Sequence, residues 1–155
     1  MRYSLLLISI TCLCSTVALA AETLTVSHGV PPQPIYLDLA DSGESVGDQR
    51  IFSFEGASST GQDVAMHWVL TTTAEGENGV DTRMTEAVFV FSGEEAGSLS
   101  VSGIGSYPRQ DSTVKVDSTL ERAVVGGTGA FAGAHGTVVS THLPDGTWKH
   151  EFILR

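Results

Sequence analysis

The sequence is poor in cysteine, in basic residues and in helix-forming pattern. Its two cysteines, Cys12 and Cys14, both lie near the N-terminus. A chain that loses that stretch has no disulfide and no thiolate metal site. Lys and Arg number 8 against 18 Asp and Glu, a net charge of −10. The acidic residues are dispersed rather than in runs. Such a balance repels phosphate backbones and anionic lipid surfaces, which argues against nucleic-acid and membrane-surface partners. The five histidines, His28, His67, His135, His142 and His150, show no zinc spacing such as H-E-x-x-H. There is no Gly-Lys-Ser/Thr phosphate loop and no G-x-S-x-G nucleophile elbow. After the N-terminal region no apolar run is long enough to span a membrane.

What is present starts with an export signal. Arg2 supplies the positive region, Leu5 to about Ala18 the apolar one, and Ala18-Leu19-Ala20 an A-x-A cleavage site. Residues 1–20 are therefore expected to be a signal peptide, with 21–155 as one domain and a secreted or periplasmic location. Without Arg2, 7 basic residues remain against 18 acidic ones. About 135 residues suffice for one sizeable core.

From Ala21 onward short β-type runs are broken by Gly, Asp, Asn and Pro. Ile35 to Leu39 alternates, Arg50, Phe52 and Phe54 share a face, and Val64 to Thr73 is a long β-rich run. Asn78-Gly79 is a hairpin signal. Thr113 to Val125 reads as a strand, and Pro144-Asp145-Gly146 as a turn. About nine strands follow one another at short spacings, with no helix. Tight turns between successive strands predict an antiparallel meander that protects its edges by curling into a barrel.

Val124 to Gly136 reads V-V-G-G-T-G-A-F-A-G-A-H-G. Five glycines make it a corner between strands: Gly126, Gly127 and Gly129 are expected at positive φ, while Gly133 and Gly136 allow close approach or a bend. A plain Gly-rich hairpin connection fits these residues equally well. Earlier, Asp38 to Phe52 carries D-x-x-x-x-G-x-x-x-G-D-x-x-x-F.

Together the two stretches resemble the allene oxide cyclase and dirigent families and bacterial proteins of the same barrel. The likeness spans most of Ile35 to Arg155. It implies an all-β fold, an eight-stranded antiparallel β-barrel of the allene oxide cyclase/dirigent type. It further implies a lumen that takes a hydrophobic small molecule and no metal or organic cofactor. The chemistry implied is cyclisation, isomerisation or stereo-directed coupling in a dry, shaped cavity. A homo-oligomer, dimer or trimer, is the implied assembly.

Four residues are the candidate catalytic set. His135 stands at the variable position of the corner motif, where dirigent proteins carry Arg, and its pKa range suits proton transfer. Tyr36 and Asp38 share one face of a strand and could serve as proton donor and carboxylate in the lumen; alternatively they face solvent while Ile35, Leu37 and Leu39 pack inward. Arg50, like Arg83, would need a carboxylate partner if it pointed inward, with Glu86 and Glu121 as possible partners; a solvated outer face is the other outcome. Asp48 is expected to serve turn chemistry and His67 to be a satisfied histidine rather than a catalyst. Two further classes stay open beside the cyclase or isomerase: a non-catalytic small-molecule carrier and a structural oligomer subunit.

Overall fold

The computed structural model describes residues 22–155. The expected signal peptide and the start at Ala21 lie outside the described residues. Nine strands follow in chain order: β1 (Glu22–His28), β2 (Ile35–Leu37), β3 (Gln49–Ser58), β4 (Asp63–Glu75), β5 (Val80–Phe91), β6 (Gly97–Pro108), β7 (Thr119–Gly129), β8 (Gly136–His142) and β9 (Trp148–Leu154). One 3-10 turn, Glu77–Gly79, joins β4 to β5, with Asn78 and Gly79 at φ 58° and 71°. This is the Asn-Gly hairpin, whose positive φ at both positions matches strand twist.

Every pairing is antiparallel, in the order β1-β9-β8-β7-β6-β5-β4-β3. The sheet closes where Val26 and Ser27 of β1 meet Ser58 and Ala57 of β3. β2 pairs with the other end of the same β3 edge, Ile35 opposite Ile51. β1 and β2 thus share one position in the wall, and the barrel is eight-stranded. Closure leaves no long unpaired edge, the physical reason a meander of this length curls.

Alternation decides what fills the interior. Val64, Met66, Trp68 and Leu70 of β4, and Ala87, Phe89 and Phe91 of β5, point inward and are buried. The half of the barrel toward the β3–β4 turn is a packed plug of Val26, Val64, Met66, Phe89, Phe91, Leu99, Val138 and Phe152. Phe131 of the glycine corner closes that end, its ring 4.6 Å from Phe91. Full burial of each large apolar side chain stabilises by about 1.5–3 kcal/mol.

Two local expectations are corrected. Strand structure does not begin at Thr113: residues 109–118 form a loop across the other end, and β7 starts at Thr119. β7 continues as strand through Gly126 and Gly127, which are not at positive φ; the turn glycines at positive φ are Gly129, Gly133 and Gly136. Gly127 is needed for space, because a Cβ there would collide with the Phe131 carbonyl. Val125 is the extra residue opposite the Ser100/Val101 step, a bulge that bends the strand.

Candidate functional site

The end of the barrel opposite the glycine corner is polar inside. Strand alternation puts His28 on β1, Arg50 on β3, Arg83 and Thr85 on β5, and Tyr107 on β6 at inward positions. Arg122 on β7, Ser140 on β8, and Trp148 and His150 on β9 join them; all are buried. Three of the chain's few basic residues therefore lie inside a protein whose outside is acidic.

They form two groups around a cavity lined by apolar side chains, including Phe52, Phe54, Trp68, Leu70 and Trp148. Its volume is about 40 Å³. It is a narrow slot that opens to solvent. Pro31, Ser112 and Thr113 stand at its mouth.

The first group is a chain of hydrogen bonds through two histidines. Ser140 Oγ is 2.8 Å from His150 Nδ1, His150 Nε2 is 3.0 Å from His28 Nε2, and His28 Nδ1 is 2.6 Å from the Gly29 carbonyl. One proton assignment satisfies all three contacts. Ser140 donates to His150 Nδ1, His150 Nε2–H donates to His28, and His28 Nδ1–H donates to Gly29, with both rings neutral. Burial is the main force holding them neutral: it lowers His28 to about 4 and drives His150 well below its ordinary value. Trp148 stacks on this pair from one side and on His142 from the other, the latter rings 4.6 Å apart.

The second group joins Arg122 and Tyr107. Arg122 Nη2 donates to the Tyr107 hydroxyl at 2.6 Å, and its guanidinium lies 5.5 Å from the Trp68 ring centre. The Tyr107 proton has only a long contact, 3.4 Å to Thr85 Oγ1. Gly103 makes this geometry possible, since a Cβ there would come within 2.9 Å of Arg122 Cγ.

Arg83 and Arg50 hold the mouth in place. Arg83 donates to the carbonyls of Asp111 at 2.6 Å and Arg109 at 2.7 Å, tying down the 109–118 loop. Arg50 donates to Glu44 at 2.9 Å and to the Arg109 carbonyl at 3.3 Å, and its guanidinium lies 5.0 Å from the Tyr36 ring centre. The carboxylate partner of Arg50 is Glu44. Glu86 and Glu121 face outward and are exposed.

Tyr36 and Asp38 lie on the rim, both exposed. Tyr36 donates to Asp48 at 2.6 Å, and Asp38 accepts the Gly43 N–H at 3.1 Å. Desolvation of its hydroxyl, followed by the hydrogen bond to the Asp48 carboxylate, raises Tyr36 to about 12. Asp48, fully buried, also accepts the N–H groups of Leu39 and Ser45 at 2.9 and 2.6 Å. The Tyr36 hydroxyl is the largest influence holding it down at about 2. His135 is exposed in the glycine corner, at the plugged end and away from the polar cavity. His67 is on the outer wall, 3.2 Å from Ser53 Oγ. Among the described residues no three His, Cys, Asp or Glu side chains gather to hold a metal ion. No helix there is long and apolar enough to cross a membrane.

Sequence reasoning missed Arg122, Tyr107 and the His28–His150 pair. The signal was present: Arg122 stands between Leu120 and Val124 at strand spacing, and His150 between Trp148 and Phe152.

The closed eight-stranded antiparallel barrel is a fold found among proteins of known structure. Two solved structures share it. Pyocyanin demethylase is similar with a TM-score of 0.59 and 21% identity, covering 87% of this chain and 99% of its own. A pterocarpan synthase dirigent protein is similar with a TM-score of 0.56 and 18% identity, covering 94% of each chain. At these identities the likeness establishes the fold. No protein family's sequence profile matches the chain, and neither does any curated protein.

Proposed function

We propose that this is an exported barrel that binds an apolar small molecule and directs its cyclisation or isomerisation without a cofactor. The observation that carries the reading is the Arg122–Tyr107 pair buried in the wall of a slot that also holds the two neutral histidines among its apolar side chains. A cavity for passive packing has no use for a guanidinium hydrogen-bonded to a hydroxyl. In this reading the slot fixes a flat conformer by shape, worth a large part of a barrier when the geometry is right. Tyr107 gives a proton to the reacting oxygen or carbon, and Arg122 steadies the charge that develops. The His28–His150 chain supplies a neutral acceptor, His28 Nε2, once the bond from His150 opens. Arg50 with Glu44, and Tyr36 and Asp38 on the rim, keep the mouth in shape. His135 serves the corner. The ligand enters by lifting the Ser112–Thr113 segment.

The neighbours support the class of ligand: one is named for demethylating pyocyanin and the other for making a pterocarpan. The thinness of the slot favours a second reading, a carrier that releases its compound unchanged. A dimer or trimer would pair through the outer face of β5–β7, where Met84, Ile104 and Val125 are exposed.

Both tryptophans of the chain line the slot, so their emission reports its occupancy. Protein purified from its own host should carry a compound visible by native mass spectrometry, and that compound should quench the emission of the emptied protein. Tyr107→Phe should keep the affinity within about threefold and lose at least tenfold in conversion, roughly 1.4 kcal/mol of barrier. Recovery of the compound chemically unchanged selects the carrier. If nothing co-purifies and no planar apolar compound quenches, the small-molecule reading fails.

A further inference from the structure

At the open end, buried donors outnumber their acceptors. Arg122 is 4% exposed and makes one hydrogen bond, to Tyr107. Its Nε and Nη1 have no acceptor, and neither do the indole N–H groups of Trp68 and Trp148. All three side chains line the same slot. Interiors rarely leave such groups unpaired, and four of them on side chains around one slot point to an acceptor that comes from outside the chain.

The charges point the same way. The carboxylates near this end are already engaged: Glu44 with Arg50, Asp48 with Tyr36, and Asp81 with Arg109. Arg83 spends its terminal nitrogens on loop carbonyls. Around Arg122 stand the Tyr107 hydroxyl, the face of Trp68, the bare Cα of Gly103 and the neutral His150. Among the described residues no carboxylate reaches salt-bridge distance of Arg122. A buried cation without a partner is among the costliest arrangements in a fold, unless a bound anion completes it.

We propose that the slot selects flat ligands bearing an anionic oxygen, a carboxylate, phenolate or enolate, which docks against Arg122 and the two indole N–H groups. The proposal rests on the slot being the ligand site, and it adds the charge class of what enters. A planar fork of N–H donors suits such an oxygen better than a point charge does.

The test uses tryptophan emission of the full-length protein with two matched probes, naphthalene-2-carboxylate and its uncharged isostere naphthalene-2-carboxamide. The carboxylate should bind at least tenfold tighter. Arg122→Met should reduce that preference to below about twofold while still binding the amide, which also shows that the variant is folded. A second measurement needs no variant: a nitrophenol that ionises near neutral pH should, once bound to the unaltered protein, titrate about one pH unit lower than when free, a tenfold preference for its anion. Equal affinity for the two naphthalenes, or a bound nitrophenol titrating at or above its free value, overturns the anion proposal and leaves the slot as a site for neutral ligands. Absence of quenching by every probe takes down both readings together.

Discussion

His28 and His150 are bases kept neutral by burial, and this makes them acid-sensitive. In the folded chain His28 binds its proton only near pH 4, against an ordinary value of 6.5. The unfolded chain takes that proton up near 6.5. Between these values the unfolded state holds more protons, so stability falls as pH drops from about 6.5 to about 4. For His28 alone the loss is on the order of 3 kcal/mol. Urea midpoints measured across this window should fall with acid, and His28→Gln should flatten the slope. An unchanged slope would mean that the pair is not neutral in the fold. Asp48 acts at lower pH: its carboxyl is held at about 2 against 3.8, so its contribution is present above pH 3.8 and is lost as pH falls through about 2.

Among elements, the glycine corner separates space from conformation. At Gly136 φ is 147°, and a Cβ would collide with the Ile153 carbonyl of the neighbouring strand. At Gly126 φ is not in the left-handed region, and a Cβ would meet nothing within 4 Å. Gly136→Ala should therefore destabilise by about 2 kcal/mol or more, from strain at β8 and loss of its register with β9. Gly126→Ala should be neutral or slightly stabilising, by roughly 0.5 kcal/mol. Thermal midpoints of the two variants check the contrast; equal effects would show that the motif's glycines are interchangeable. The corner's sequence pattern thus maintains the plugged end, while the polar cavity lies at the other end.

For the whole molecule, plug and slot share a floor. Phe89 is fully buried and its ring lies 5.6 Å from Trp68, 5.2 Å from His150 and 5.0 Å from Phe152. Phe89→Ala should cost about 3–5 kcal/mol. It should also deepen the slot toward the plug, so that larger planar compounds quench tryptophan emission better relative to small ones. Chemical denaturation and the same fluorescence titration measure the two effects. A loss of stability without any change in ligand size preference would show that the plug collapses into the space.

The amino-acid sequence by itself determined the all-β class, the strand count and the barrel, because alternation and turn residues act over a few neighbours and nine short strands in succession leave few ways to hide their edges. It also placed Arg50 on the face of Phe52 and Phe54, and it identified Asp48 as a turn carboxylate. Only the tertiary structure decided which end of the barrel is filled and which is hollow. Arg122 meets Tyr107 across two strands, and His28 meets His150 through closure of the first strand onto the last, 122 positions apart. Such contacts depend on register and on the way the ring of strands closes, and no local pattern encodes either.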